Sequence, residues 1–517
     1  MIAGNTNLLG VVWVLFALMG IFRLLGSRTN WVAAVGWLAG LAVFPTHWPG
    51  LWMHPALRNS FTGTLSCTVL GVTGVVLVMM LIAEWHESLT STFSPSASPS
   101  APDGRSPTPT ESSPPDAKAC WLLLAAGLWA VMAATPDFTG SLVAWEVLLL
   151  TQLRHIDPPS GGDPAQNERV GRQIRWNLLS WQIISSLFLW SGWAILLNEG
   201  GPASWAAAGT PSNHWSREGW VLMILGWAGR TCAIPGHFVW IDTAALAIPG
   251  TNESAASASR AAVARWGDTG NQLLRWLAAV LMARQLVEWT LPRGASLTPG
   301  DSTPMIVWSL LGGWTALWGA LMLLRQEDWR RWVATLFMTA AGGWIWSLSL
   351  FYLSPSMAHG SLWGALAAQA ALFCLAHLLI EWGTSLARRT GRPLTYFEEW
   401  GGLIHESRGG VYAVALGLIV LSGLGRPLGW LLPSEGLLHA GRVLVADDDR
   451  IDLPSLPLIP GTLLILLASL LSLLAVYRWL GTVLRGVAIG AKPVPLSWCQ
   501  LLILAIACGL GVWICIQ

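Results

Sequence analysis

A chain of 517 residues that is 53% hydrophobic and only 11% charged is too apolar for a water-soluble globular protein. Its formal net charge of +1 offers no basic face to nucleic acid, and its acids and histidines are scattered, which excludes a soluble catalytic domain. The chain reads as all-α, a polytopic membrane protein in the lipid bilayer.

Counting apolar stretches of about 18 to 25 residues, the length that crosses the hydrocarbon, gives about fourteen transmembrane helices. The first three run from Leu8 to Leu25, Trp31 to Trp52 and Thr62 to Trp85. No basic residue precedes the first, and Arg23 and Arg28 follow it. That pattern predicts a retained first helix and no cleaved signal peptide. Ser88 to Ala117 is rich in Ser, Pro and Thr and has no apolar periodicity, so it is expected to be a disordered loop.

The fourth span is expected at Ala119 to Thr135, and the fifth, Phe138 to His155, carries Glu146. The sixth covers Trp176 to Leu197. The seventh contains L-G-W-A-G-R-T-C-A-I-P-G-H-F-V-W-I-D from Leu225 to Asp242. A fixed charge at a bilayer centre costs about 2.5 to 3.5 kcal/mol on insertion scales, so Arg230 needs an acidic partner or a wet cavity. Pro235 removes a backbone donor and is expected to break the helix beside that charge, the way transporters build ion sites. The eighth span, Leu273 to Thr290, carries Arg275 and Arg284.

The ninth to eleventh spans are expected at Met305 to Leu324, Trp332 to Leu353 and Leu362 to Leu386. His377 and Glu381 in the eleventh are four residues apart and share a helix face. The twelfth, Val411 to Leu432, is interrupted by G-L-G-R-P-L-G around Arg426 and Pro427, a second broken helix. Leu458 to Leu480 and Trp498 to Ile516 complete the set.

The two interrupted spans hold corresponding places in two five-helix blocks, spans four to eight and nine to thirteen. An odd number of helices per block inverts the second, so inverted repeats are expected. The organisation read from the sequence is an N-terminal block (1–87), the Ser/Pro-rich loop (88–118), a first repeat (119–292), a second repeat (304–480) and a C-terminal helix (481–517). Arg and Lys favour the loops after odd-numbered spans about fourfold, which places both termini on the outer, periplasmic side of a bacterial inner membrane.

The 35 Trp against 4 Tyr cluster near span ends, Trp220 and Trp329 among them, where an indole can anchor at the headgroups with its N–H wet. The seven Cys lie in or beside apolar runs without metal-ligand spacing and read as packing residues.

The pattern R-x-x-x-x-P-x-H-x-x-W-x-D from Arg230 to Asp242 resembles an element of the antiporter-like membrane subunits of respiratory complex I, shared with Mrp-type cation/proton antiporters. Supporting matches are Trp145-Glu146, L-R-Q-E-D-W-R-R from Leu324 to Arg331, W-G-G-L from Trp400 to Leu403 and S-G-L-G-R-P-L-G-W from Ser422 to Trp430. The resemblance covers spans four to thirteen. It implies that Glu146 corresponds to the family's fifth-helix glutamate, Arg230 to its seventh-helix lysine and Arg275 to its eighth-helix lysine. In that family these residues form a proton half-channel, and His237, His377 and Glu381 are expected to extend the polar path.

Departures from the family pattern are specific. Both lysines are arginines, in a chain whose only Lys are Lys118 and Lys492. A guanidinium with a pKa above about 12 does not release a proton as a desolvated lysine can. The tenth span reads T-L-F-M-T-A from Thr335 to Ala340, without the family's histidine and most of its hydroxyls. The resemblance implies a non-redox subunit of an NADH:quinone oxidoreductase that takes part in proton translocation and has other membrane subunits as partners. No catalytic centre or cofactor is expected, since neither a GxGxxG fingerprint nor cysteine ligands are present. The chain ends after its fourteenth span, as in the two shorter paralogues, the M and N types. A scaffold subunit that has lost pumping, or a component of an Mrp-type or related ion-coupled complex, stands as the alternative.

Overall fold

Among the described residues, prolines fall only in the first turns of long helices (Pro164, Pro304, Pro460) or in the turn at Pro235. Such runs are free to satisfy their backbone groups internally, as a chain in hydrocarbon must. The computed structural model describes residues 132, 138–153, 164–198, 217–238, 240–241, 272–287, 303–352, 362–390, 396–406, 408–422 and 458–485. They form helices α1 (Phe138–Leu153), α2 (Pro164–Asn198), α3 (Arg217–Gly229), α4 (272–287), α5 (Thr303–Arg325) and α6 (Trp329–Leu348). Then follow α7 (Leu362–Thr390), the short α8 (Leu403–Glu406), α9 (Arg408–Leu421) and α10 (Leu458–Leu484). The expected first three spans, the Ser/Pro-rich tract, the fourth span apart from Met132, Asp242, the second break with Arg426 and Pro427, and the last span lie outside the described residues.

The all-helical class expected from the sequence therefore holds for the described residues, where the one β element is an isolated bridge between Asp328 and Tyr396. Three described helices, Gly171–Asn198, Thr303–Arg325 and Leu458–Leu484, are long and apolar enough to cross a membrane. Boundaries differ most at α2, which starts at Pro164 rather than Trp176. Proline suits the first helical position. Arg169, Arg172 and Arg175 extend the helix beyond the apolar stretch, where hydropathy alone does not count them. The tenth span ends as α-helix at Leu348 and tightens into a 3₁₀ turn, Ser349–Tyr352.

The chain divides into two compact units, Met1–Gly171 with Ile248–Ala278, and Arg172–Ala247 with Ala279–Gln517. In the first, α1 buries Ser141, Leu142, Trp145, Leu148 and Leu149 and exposes Val143, Val147 and Leu150. In the second, α5 packs most extensively against α6 and α10. Small residues let these backbones touch, the usual means of association where no hydrophobic effect separates helix from lipid. Ala316, Leu317, Ala320 and Ala468 form the buried seam, flanked by Leu464, Ile465 and Leu471. On the outer face of α10, Leu463, Leu467, Leu470 and Leu474 stand exposed, side chains that acyl chains solvate and water does not.

A side chain at Gly342 on α6 would run into the backbone of Ala316 on α5, and one at Gly319 would stand 3.2 Å from the Thr339 nitrogen. Gly342→Ala is accordingly expected to cost about 1 to 3 kcal/mol by overpacking. A lowered melting midpoint in detergent checks it.

The segments L-R-Q-E-D-W-R-R and W-G-G-L come together in one structure. Asp328 caps α6, its carboxylate accepting from the amides of Arg330 (2.9 Å) and Arg331 (3.0 Å). Arg478 Nη1 of α10 donates to the Leu324 carbonyl at the end of α5 (2.7 Å), and the Phe397 amide donates to Glu327 O (3.2 Å). Gly402 has φ 76°, a conformation that favours glycine. These ties gather five buried tryptophans, Trp329, Trp332, Trp382, Trp400 and Trp479. Trp329 is central, with ring centroids 4.4 Å from Trp400, 5.6 Å from Trp479 and 5.7 Å from Trp332. Its Nε1 donates to Leu379 O (3.1 Å). Trp329 is thus a core residue and not a wet headgroup anchor, and Trp220 is buried as well. Position near a span end does not distinguish a lipid-facing indole from one turned inward.

Candidate functional site

Helix α3 stops at Gly229 because the chain beyond it cannot continue the ladder. Pro235 has no N–H, and residues 230–236 turn before helix resumes at His237. The end of α3 tightens, with Arg230 N donating to Trp227 O (3.1 Å) and Thr231 N to Ala228 O (3.2 Å). The Thr231 hydroxyl donates to Ala228 O (3.1 Å) and accepts from Ala233 N (3.2 Å). The Ile234 amide donates to Thr315 Oγ1 of α5 (3.2 Å). Each of these freed backbone groups is therefore bonded, as burial requires. Gly236 lies where an added Cβ would meet the carbonyl oxygens of Gly229 (2.6 Å), Ala228 (2.8 Å) and Thr231 (2.8 Å). Only glycine lets the chain fold back on the end of α3 so closely.

The break places Arg230 against α2. An added Cβ at Gly226 would meet Ser185 O and Leu189 N, each at 2.7 Å, so α2 and α3 cross with backbones nearly in contact. Arg230, 1% exposed, then donates from Nε to Ser185 Oγ (3.1 Å) and from Nη2 to Ser186 Oγ. Both hydroxyls donate in turn to the Gln182 carbonyl, at 2.9 and 2.7 Å. The planar guanidinium fork engages both serines at once, and their O–H dipoles pass part of its charge to a backbone oxygen. Its place at the C-terminal end of α3 also suits the helix dipole. Sequence reading missed Ser185 and Ser186, because a serine in an apolar span more often bonds only to its own helix.

Hydrogen bonds to a charged group are worth about 1.5 to 3 kcal/mol each. The double substitution Ser185→Ala/Ser186→Ala is expected to destabilise the protein by about 3 kcal/mol, read as an earlier unfolding midpoint in mixed micelles. Arg230→Gln should partly relieve that loss when added to the pair.

His237 is half-buried, and its Nε2 accepts from Trp318 Nε1 of α5 (3.0 Å). Indole nitrogen only donates, so this imidazole nitrogen carries no proton while the bond holds. Trp227 closes the other side of the break, donating to Ala279 O (2.7 Å) and packing edge-on to Trp308 at 5.1 Å. Trp240 follows, stacked on Phe337 (5.6 Å).

The remaining sequence candidates are placed as follows. Glu146 is half-buried on α1, at the border between that helix's buried face and its exposed stripe of Val143, Val147 and Leu150. Arg275 and Arg284 are both buried on α4, whose residues 273–287 are buried all round. His377 and Glu381 are half-buried on α7, and the His377 ring stacks on Phe373 at 6.3 Å. The structure brings Arg230, Ser185 and Ser186 together, and separately His237 with Trp318. Among the described residues no group of His, Cys, Asp and Glu could hold a metal ion.

No family model and no curated protein matches the chain. Solved structures do. A chain of the Mrp complex from Dietzia sp. DQ12-45-1b superposes with a TM-score of 0.60 at 15% identity, over 98% of this chain and 93% of that one. A chain of the membrane-bound sulfane sulfur reductase, an archaeal respiratory membrane complex, gives 0.59 at 15% identity, over 98% and 94%. A chain of respiratory complex I from Thermus thermophilus gives 0.56 at 16% identity, over 99% and 96%. The chain thus has the fold of subunits from these membrane complexes, and the resemblance to the antiporter-like subunits of complex I and Mrp assemblies is borne out at the level of the fold.

Proposed function

We propose that this protein is a membrane subunit of a complex-I-type NADH:quinone oxidoreductase and takes part in proton translocation driven by redox chemistry elsewhere. The observation that carries the reading is a buried guanidinium at a broken helix, bound to two hydroxyls of a neighbouring span, in a chain with this fold. Glu146, Arg230, His237 and Arg275 contribute to the half-channel. Arg230 stays protonated, so it acts as a fixed positive charge and not as a proton donor. The mobile proton is carried by titratable side chains, Glu146 among them, and by water. Two inverted repeats and both termini on the outer side complete this reading, supported by the placement of the broken spans and the charge bias of the loops.

The two arginines in place of lysines favour a second reading, a scaffold subunit that keeps the fold without pumping. The Mrp likeness, with the higher TM-score, favours a third, a component of a cation/proton antiporter. Purification of the tagged full chain from its native membrane separates them. Recovery with NADH-oxidising modules is expected, recovery with other antiporter subunits alone selects the third reading, and recovery as an isolated chain rules out all three.

A further inference from the structure

We propose that the C-terminal ends of α5 and α10 form a binding site for an anionic phospholipid. Arg325, Arg478 and Arg485 hold its headgroup, and an acyl chain lies along the exposed leucines of α10. A lipid site of this kind is independent of ion translocation by the chain.

Helix α10 packs on α5 along Ala316, Ala320 and Ala468 and turns its opposite face outward. Leu463, Leu467, Leu470 and Leu474 are all exposed and recur at helical spacing, so they form one stripe. From Leu463 to Leu474 the helix rises about 16 Å, close to half of the ~30 Å hydrocarbon core. One leaflet's acyl chains fill that depth. One turn further on, the stripe meets Tyr477, 71% exposed, and the exposed Arg478. A tyrosine ring with its hydroxyl outward suits the level of the headgroups.

Arg478 is held in place, because its Nη1 donates to the carbonyl of Leu324 (2.7 Å), the residue just before Arg325. That bond takes one of the N–H groups of the guanidinium fork. Arg325 is exposed in the last turn of α5. Arg485 is exposed two turns beyond Arg478 on nearly the same face of the helix. Of the acids nearby in the chain, Asp328 caps α6 and Glu399 accepts from the Tyr396 amide (2.8 Å). Glu327 is exposed, and Arg331 beside it adds a further exposed arginine, so positive charge is in excess. Guanidinium forks match the geometry of phosphate oxygens, and basic clusters at the ends of spans attract anionic headgroups. Long arginine stems lie on apolar surface while their charged heads reach the interface. A phosphate held there leaves its acyl chains on the leucines.

The test titrates the full chain in mixed micelles with phosphatidylglycerol and, separately, with phosphatidylcholine of the same acyl chains. Bound lipid is counted by native mass spectrometry. Phosphatidylglycerol is expected to be retained preferentially. Arg325→Gln/Arg485→Gln leaves the tie between Arg478 and Leu324 in place and is expected to weaken phosphatidylglycerol binding about 25-fold, at about fivefold per arginine, with phosphatidylcholine unaffected. Arg325→Gln alone, with a loss of about fivefold expected, repeats the measurement should the pair misfold. Arg169→Gln/Arg172→Gln, which removes two exposed arginines from α2, is expected to keep the preference. Inorganic phosphate, which has no acyl chain, is expected not to displace the lipid. Equal retention of both lipids by the wild type, full binding in the Arg325 variants, an equal loss in the α2 pair, or displacement by inorganic phosphate would each overturn the site.

Discussion

Arg230→Gln is expected to lower proton translocation by the assembled complex at least about tenfold, equivalent to ~1.4 kcal/mol on the rate-limiting barrier. The guanidinium is 1% exposed and stands at the break of a helix, so its field acts through little intervening water. Glutamine can still donate to one serine, which preserves local packing and isolates the effect of the charge. Arg230→Lys is the informative companion. It keeps the charge and gains the ability to release a proton, but a compact ammonium does not reproduce the fork that engages Ser185 and Ser186 together. Flux in the lysine variant is therefore expected to exceed that in the glutamine variant, with a lower unfolding midpoint than wild type. Proton uptake by vesicles followed with a pH-sensitive dye measures both.

Trp329→Ala is expected to be the most destabilising single change in the second unit, costing about 3 to 5 kcal/mol. Its ring contacts Trp332, Trp382, Trp400 and Trp479, which come from α6, α7, the 3₁₀ turn Phe397–Trp400 and α10. Removing it leaves a cavity among rigid rings that cannot collapse easily, and deletes the indole's hydrogen bond to the Leu379 carbonyl. Gly383 makes the fit tight, since an added Cβ there would stand 2.6 Å from Trp329 Cδ1. Thermal unfolding in detergent should show the loss, and Trp329→Phe, which keeps most of the volume, should recover more than half of it.

Hydropathy located the long described helices because hydrocarbon demands an apolar stretch of about 18 to 25 residues. α5, α7 and α10 begin at or within two residues of their expected starts. It failed where a helix continues past the apolar run, as α2 does through its arginines. The break at Arg230 and Pro235 was legible because proline and charge are both costly in a span, and their coincidence stands out against the surroundings. The partners of Arg230 were not. Ser185 and Ser186 are 45 and 44 residues away in sequence, and nothing in periodicity says which face of α2 meets α3. Gly226 carried a weak signal, as a small residue that permits close approach four positions before the arginine. Trp220 and Trp329 depart from the anchor expectation for a related reason. An indole at a span end is compatible with headgroups and with a core alike, and only the convergence of Asp328, Gly402 and Arg478 turns Trp329 inward.

The most direct test of ion translocation by this chain is proton flux in the assembled complex carrying Glu146→Gln, an isosteric change that removes one titratable group and little else. Translocation through this subunit predicts a severalfold loss of flux with assembly and redox activity of the partner modules intact. A complex that pumps as the wild type does with the carboxylate gone would contradict it, and would leave the chain a membrane scaffold.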